Sequence, residues 1–472
     1  MLWFALAAAP AGAIAQEQGH TAAMGAQLSL VTVLPFLALL LAIAIFPLVA
    51  SHWWEHNRNK AIVAAILAVP LAVYLVSAWG DAGVHELEEK AKEYLSFIML
   101  LGSLFVISGG IYLGGSLAGT PLANTGMLAL GAVSANLIGT TGASMILIRP
   151  LLRANESRQR KSHVVIFFIF VVSNCGGLLT PLGDPPLFLG FLKGVPFEWT
   201  LKLWPQWLVV NGVLLALFHV WDGRVLIRED RDRPGSQVEE VLKHERLHVI
   251  GWHNFVFLAG IVATIYASGR GLGNGGNAWP FGVQEGVMLL LTILAYGSTR
   301  AAIRERNRFA WGPIVEVAVL FAGIFITMAP ALQILNAWGQ GERMVLGLPL
   351  AIDQPWQFFW ATGVLSSFLD NAPTYLTMAA TACGLKGVPT EGRYMAEFIA
   401  QGADAAKLLA AISCGAVFMG ANTYIGNGPN FMVRAIAESS GVRMPGFFGY
   451  MLYSGAILLP VFVLITVLFF WG

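Results

Sequence analysis

Apolar residues in this chain come in long runs rather than in alternation or in one-sided helical stripes. A helix that crosses a bilayer needs about 20 consecutive apolar residues. Eight segments are clear candidates: 28–50, 61–80, 95–118, 205–221, 254–268, 281–298, 311–335 and 446–471. Two of these are short for a full crossing and are expected to extend into their flanks. Four further apolar segments, 126–148, 164–192, 355–380 and 408–440, are interrupted by Gly, Pro, Asn, Asp or Thr. The pattern predicts an all-α polytopic membrane protein with a single transmembrane body.

Loop charges orient it. If residue 28 begins outside, most of the 28 Lys and Arg fall in inner loops. Arg149, Arg153, Arg158, Arg160 and Lys161 lie in one such loop, and Arg224, Arg228, Arg231, Arg233, Lys243 and Arg246 in the next. Asp81, Glu86, Glu88, Glu89 and Glu93 dilute the positive charge of an outer loop. The count holds only if 126–148 and 355–380 enter and leave on one side, as re-entrant hairpins. Each half of the chain then reads as three spans, a hairpin, a broken span and a last span. Residues 28–221 form the first repeat and 254–472 the second, with opposite topology; 222–253 is a charged, solvated cytoplasmic linker. Inverted repeats of this kind mark many secondary transporters.

Composition agrees. Hydrophobic residues make up 56% and charged residues 12%, against about 25% charged in an ordinary soluble domain; mean hydropathy is +0.67. A net charge of +1 without a basic stripe gives nucleic-acid binding no support. Cys175, Cys383 and Cys414 form no CxxC pair and read as packed residues, not as disulfide or metal ligands. Residues 1–15 read as a signal peptide ending at Ala13-Ile14-Ala15, with an uncleaved apolar tail as the alternative.

Irregular backbone at membrane depth is tolerated only where protein or a water-filled cavity surrounds it. The breaks therefore locate the chemistry. Ser173 to Pro186 interrupts the first half and Gly420 to Asn430 the second, with Gly183-Asp184 matching Gly426-Asn427. The hairpin tips Ser134–Ser144 and Ser366–Tyr375 match in the same way. Gly183, Pro185, Pro186, Pro373, Gly426, Gly428 and Pro429 free backbone groups. The carbonyls suit a cation, and half-helix N-termini suit an anion. Two acids, Asp184 and Asp370, lie in the breaks, where an ionisable side chain costs about 2.5–3.5 kcal/mol on insertion scales. A carboxylate there can take either a proton or a cation, so the two compete. The alternative role for each acid is to cap a half-helix. Thr140, Thr141, Asn174, Thr180, Asn371, Thr374, Asn422, Thr423 and Asn427 supply neutral oxygens and amides, either as site lining or as interhelical hydrogen bonds.

At these residues the chain resembles the ion transporter superfamily: NhaD-type sodium/proton antiporters, arsenite permeases, and citrate and dicarboxylate carriers. It is most similar to the bacterial citrate-transporter or sodium:proton antiporter group. The resemblance covers about 28–472. It rests on Thr180-Pro181-Leu182-Gly183-Asp184-Pro185-Pro186, Phe368-Leu369-Asp370-Asn371-Ala372-Pro373-Thr374 and Tyr424-Ile425-Gly426-Asn427-Gly428-Pro429-Asn430. It implies a homodimer in the inner membrane with an elevator motion, and cation binding by the residues that align here as Asp184 and Asp370; the loop charges put the N-terminus on the periplasmic side. Where the antiporters usually follow Gly-Asp with a hydrophobic residue and two threonines, this chain has Pro185 and Pro186. Neither hairpin has the Ser-Asn-Thr tip of the carboxylate carriers.

The leading expectation is sodium/proton antiport, because an acidic site attracts cations and repels citrate. The alternative is sodium- or proton-coupled uptake of a carboxylate. No cofactor is expected beyond the transported or coupling ions, and the partners are lipids and the small solute. An intramembrane aspartyl protease would need two acids sharing a proton and has no use for an inverted repeat. A passive channel fits opposed hairpins less well than alternating access does.

Overall fold

The computed structural model describes residues 20–116, 118–232, 245–275, 279–342, 344–345 and 349–471. Residues 1–15, read above as a signal peptide, lie outside them. Among the described residues, eight helices are long and apolar enough to cross a membrane. The chain is an all-α polytopic membrane protein.

The first two spans are Leu34–Val49 and Asn57–Trp79. The third departs from expectation. It is one 28-residue helix, Asp81–Ser108, so Glu86, Lys90 and Glu93 belong to a helix and not to an outer loop. They are tolerated because they pair. Lys90 Nζ lies 3.6 Å from Glu86 and 3.3 Å from Glu93, Glu93 also meets Lys193, and Gln333 Nε2 donates to Glu86 at 3.3 Å. Polar character hides the first half of this helix from a hydropathy reading.

The same helix ends ten residues before the expected 118. Tyr112–Ser116 is a strand, paired antiparallel with Glu245–Ile250, Leu113 facing Val249. The expected linker 222–253 is thus ordered at both ends of its described part. Its first residues continue the helix Trp204–Asp232, because the charges are spent on the protein rather than on water. Asp222 is fully buried and accepts from Arg158 at 2.7 Å, His163 Nε2 at 2.7 Å and Asn124 at 2.9 Å. Glu229 accepts from the backbone N–H groups of Gln159 and Arg160.

The segment 126–148 lies within helical chain Pro121–Ala154, which is broken at Gly139 (φ 76°, ψ 155°). That left-handed backbone favours glycine. The two arms fold together: Asn124 and Asn155 exchange amide hydrogen bonds at 2.9 and 2.8 Å, and a side chain at Gly131 would meet Leu147. Segment 355–380 is helix Pro355–Phe368, an extended break at Leu369 and Asp370, and helix Asn371–Leu385. Segment 164–192 is helix Ser162–Val171, a short 3-10 turn at Cys175–Leu178, and helix Pro185–Leu192. Segment 408–440 repeats that order with Ala403–Met419, Gly420–Asn422 and Gly428–Ser439. Helices Asn254–Gly269, Val283–Ser298, Gly312–Gly339 and Phe447–Ile465 complete the body. One continuous apolar core joins the broken segments to the long helices.

Candidate functional site

Asp184 is the residue around which the four broken segments meet. It precedes helix Pro185–Leu192 in extended backbone (φ −146°, ψ 146°), and two prolines open the helix behind it. Proline suits a first helical turn, where no N–H is needed. Its position is that of an N-cap, but its side chain does not cap the helix. The carboxylate is turned instead to three side chains from three other segments. Thr140 Oγ1 donates to Oδ1 at 2.8 Å, Asn427 Nδ2 donates to Oδ1 at 3.3 Å, and Asn371 Nδ2 donates to Oδ2. All three donors are neutral. The acid is 1% exposed.

Asp370 differs. It is half-buried, and its Oδ1 accepts the Ala372 N–H at 3.0 Å, which caps helix Asn371–Leu385. The capping role therefore applies to Asp370 and not to Asp184. The acids are linked through Asn371, which follows Asp370 in the chain and bonds to Asp184.

A second layer of amides holds Asn427. Its Nδ2 also donates to the Ser173 carbonyl at 3.1 Å and to Asn174 Oδ1 at 3.2 Å. Asn174 in turn donates to Asn430 Oδ1 at 2.7 Å, and Asn430 closes the chain by donating to the carbonyls of Gly420 and Thr423 at 2.8 and 2.9 Å. Thr180 and Thr423 are braces rather than lining: each hydroxyl donates to a backbone carbonyl of a neighbouring segment, Asn136 and Ser367 respectively. Asn422 Nδ2 donates to Ser367 Oγ at 2.9 Å. Thr374 donates to the Asp370 carbonyl within its own helix at 2.9 Å. Thr141 is half-buried and makes no side-chain hydrogen bond among the described residues.

Gly183 and Gly426 allow the breaks to close. A Cβ on Gly183 would sit 2.1 Å from the Gly177 carbonyl oxygen, and one on Gly426 2.6 Å from that of Gly420. Gly428 has open space around it and is the first residue of its helix, with Pro429 second. Pro373 lies in the first turn of helix Asn371–Leu385.

Asn136, Ser367, Ser173 and Asn430 are part of this arrangement and are absent from the residues singled out by type. All four lie in the motifs: Ser173 opens the first break, Asn430 ends the second, and Asn136 and Ser367 lie in the hairpin tips. Asn136 lies four residues before Thr140, as Ser367 does before Asn371.

Two buried oxygens here, Asn371 Oδ1 and Asn422 Oδ1, have no hydrogen-bond partner among the described residues. An unpaired buried acceptor costs about 1–3 kcal/mol, and an oxygen in that state suits a cation. The donor set of one carboxylate with hydroxyl and amide oxygens is that of a hard cation.

The model of one family matches residues 25–470, nearly the whole chain. The chain belongs to the family described as "Putative citrate transport". That family lies within the ion transporter group, and membership makes this chain a multi-pass secondary transporter. No curated protein matches the chain.

Proposed function

We propose that this member of the citrate-transport family exchanges sodium for protons across the inner membrane, with Asp184 as the coupling acid. The observation that carries the reading is the buried Asp184 carboxylate, held by Thr140, Asn371 and Asn427 from three separate segments, with no basic partner among the described residues. A carboxylate offers about four acceptor positions, and three are taken by these neutral donors. Either a proton or a cation can neutralise it. Asn371 Oδ1, buried and unpaired on the amide that touches Asp184, is a ready second ligand. Asp370, the residue before Asn371, is half-buried and adds negative charge nearby.

The matching order of elements in the two halves supports inverted repeats, with 126–148 and 355–380 as re-entrant hairpins. An elevator motion of the broken segments against the long helices, a homodimer and a periplasmic N-terminus complete the proposal.

A second reading is cation-coupled uptake of a carboxylate such as citrate. The family description favours it, and so do the helix N-termini at Pro185, Asn371 and Gly428, which attract negative charge. In this reading the Asp184 cation is the coupling ion.

Proteoliposomes with an acid interior and a trapped pH dye separate the two. Sodium, lithium, potassium and citrate are added singly to wild type, Asp184→Asn and Asp370→Asn. Antiport gives alkalinisation on adding sodium or lithium, abolished in Asp184→Asn. No response to cation chlorides, with labelled citrate accumulating when sodium is present, overturns antiport in favour of the second reading.

A further inference from the structure

The outer face of helix Trp204–Asp232 carries a groove where it meets helix Phe447–Ile465. Its volume is about 920 Å³, and its walls include Leu217, Trp221, Leu452, Tyr453, Ala456 and Pro460. The walls are almost wholly apolar. The concavity has a sequence cause: Gly449 and Ala456 present little or no side chain to it, opposite the bulk of Leu217 and Trp221. A second hollow of about 650 Å³ shares Leu217 and Trp221 and runs on along the helix to Arg224 and Arg228.

The two arginines are four residues apart, so they share one helix face, and both are exposed. Three of the four acids of that helix are committed to other arginines. Asp222 and Glu229 hold Arg158, and Asp232 holds Arg160. Neither Arg224 nor Arg228 has a carboxylate partner among the described residues. At the junction of the apolar and basic parts stand Trp221 and Tyr453, with ring centroids 6.3 Å apart. The indole N–H and the phenol make no hydrogen bond among the described residues. Leu452 is 76% exposed, and none of the described residues covers the groove.

We propose that this groove binds an acidic phospholipid. Its acyl chains lie along Leu217, Leu452, Ala456 and Pro460, its ester region meets Trp221 and Tyr453, and its phosphate rests on Arg224 and Arg228. An apolar trough ending in two cations without a carboxylate partner among the described residues, and in two interfacial aromatics, complements such a lipid at each level, since Trp and Tyr prefer the headgroup depth and basic clusters prefer anionic headgroups. A zwitterionic lipid brings the same phosphate together with a headgroup cation, which the two arginines repel. A second copy of the chain would bring no acid from these walls.

Native mass spectrometry of the full chain, released from mild detergent after incubation with phosphatidylglycerol or phosphatidylcholine, tests this. Wild type retains phosphatidylglycerol in preference. Retention in the double variant Arg224→Gln/Arg228→Gln falls roughly 30-fold, about fivefold for each basic side chain, and Arg224→Lys/Arg228→Lys restores it. Ala456→Leu, which fills the trough and leaves the charges alone, lowers retention as well. Equal retention of the two lipids overturns the proposal, and so does retention unchanged in the glutamine variant. It also fails if Ala456→Leu turns a dimer into a monomer without altering lipid retention, because the groove is then a subunit contact.

Discussion

At Thr180–Asp184 and again at Thr423–Asn427, a buried threonine starts a short break and an Asp or Asn ends it in front of a new helix. The two stretches agree closely. Thr180 Oγ1 donates to the Asn136 carbonyl and accepts the Leu182 N–H at 3.2 Å. Thr423 Oγ1 donates to the Ser367 carbonyl and accepts the Ile425 N–H at 3.2 Å. Three residues beyond each threonine a glycine packs on the carbonyl of another glycine six residues earlier. Backbone angles at the final residue are −146° and 146° for Asp184 and −150° and 140° for Asn427. Even the neighbours correspond: Thr140 and Asn371, each four residues past the braced carbonyl, both donate to Asp184. What differs is the side chain at the end, an acid in one break and an amide in the other. The backbone is built twice and the charge is placed once. The amide break then serves the acid, since Asn427 donates to Asp184 at 3.3 Å. Two acids at these positions would repel each other, whereas an acid and an amide bond.

Making the two ends alike is the strongest way to break that relation. In Asn427→Asp, two carboxylates about 3.3 Å apart repel by roughly 5 kcal/mol at an effective dielectric constant near 20. We expect the variant to melt well below wild type in choline chloride and to recover in sodium chloride by more than wild type gains. Equal sodium shifts in the two proteins would show that Asn427 does not face the ion. The converse change, Asp184→Asn, keeps shape and removes charge, so it should melt like wild type and lose the sodium shift.

The glycines come next. A methyl group on Gly183 or Gly426 would overlap a backbone oxygen, which cannot rotate away as a side chain can. Overpacking costs about 1–3 kcal/mol and sometimes more, and here the upper end applies. Gly183→Ala and Gly426→Ala should both lower folded yield and melting temperature in size-exclusion and thermal assays. Gly428→Ala, in open space, should do neither. A tolerated alanine at one break and not the other would mean that only one is tightly closed.

Long-range pairing explains which features were legible from sequence. Apolar runs located most long helices, since hydropathy is a local property, and the Gly-Pro-Asn interruptions located the breaks. The polar first half of helix Asp81–Ser108 was not legible, because Lys193 lies a hundred residues from its partner Glu93. The apolar run of helix Trp204–Asp232 stops at residue 221 for the same reason: Asp222 looks solvated until Arg158 and His163 are placed beside it. The strand pair 112–116 with 245–250 carries no local alternation strong enough to announce itself. Within the candidate site, residue type pointed to Asp184, Thr140, Asn371 and Asn427. It could not tell a lining hydroxyl from a bracing one. Thr180 and Thr423 spend their hydroxyls on carbonyls, and Thr374 spends its own on the turn behind it.

The bracing threonines offer the finest test of the two breaks. Thr180→Val and Thr423→Val keep shape and remove a hydroxyl that serves both as donor to a buried carbonyl and as acceptor for a backbone N–H. A lost hydrogen bond that leaves a buried partner unsatisfied costs about 1–3 kcal/mol. The two hydroxyls share that pair of bonds, and Thr423 Oγ1 also accepts the Gly426 N–H at 3.1 Å, so Thr423→Val should lose more stability than Thr180→Val in matched urea or thermal unfolding. Neither oxygen touches Asp184, so the sodium shift in melting temperature should survive in both. A larger loss in Thr180→Val would mean that the breaks share geometry without sharing mechanical load. Loss of the sodium shift in Thr180→Val alone would move that hydroxyl from the scaffold into the ion's own surroundings, and the amide break would then be the only one of the two that serves purely as support.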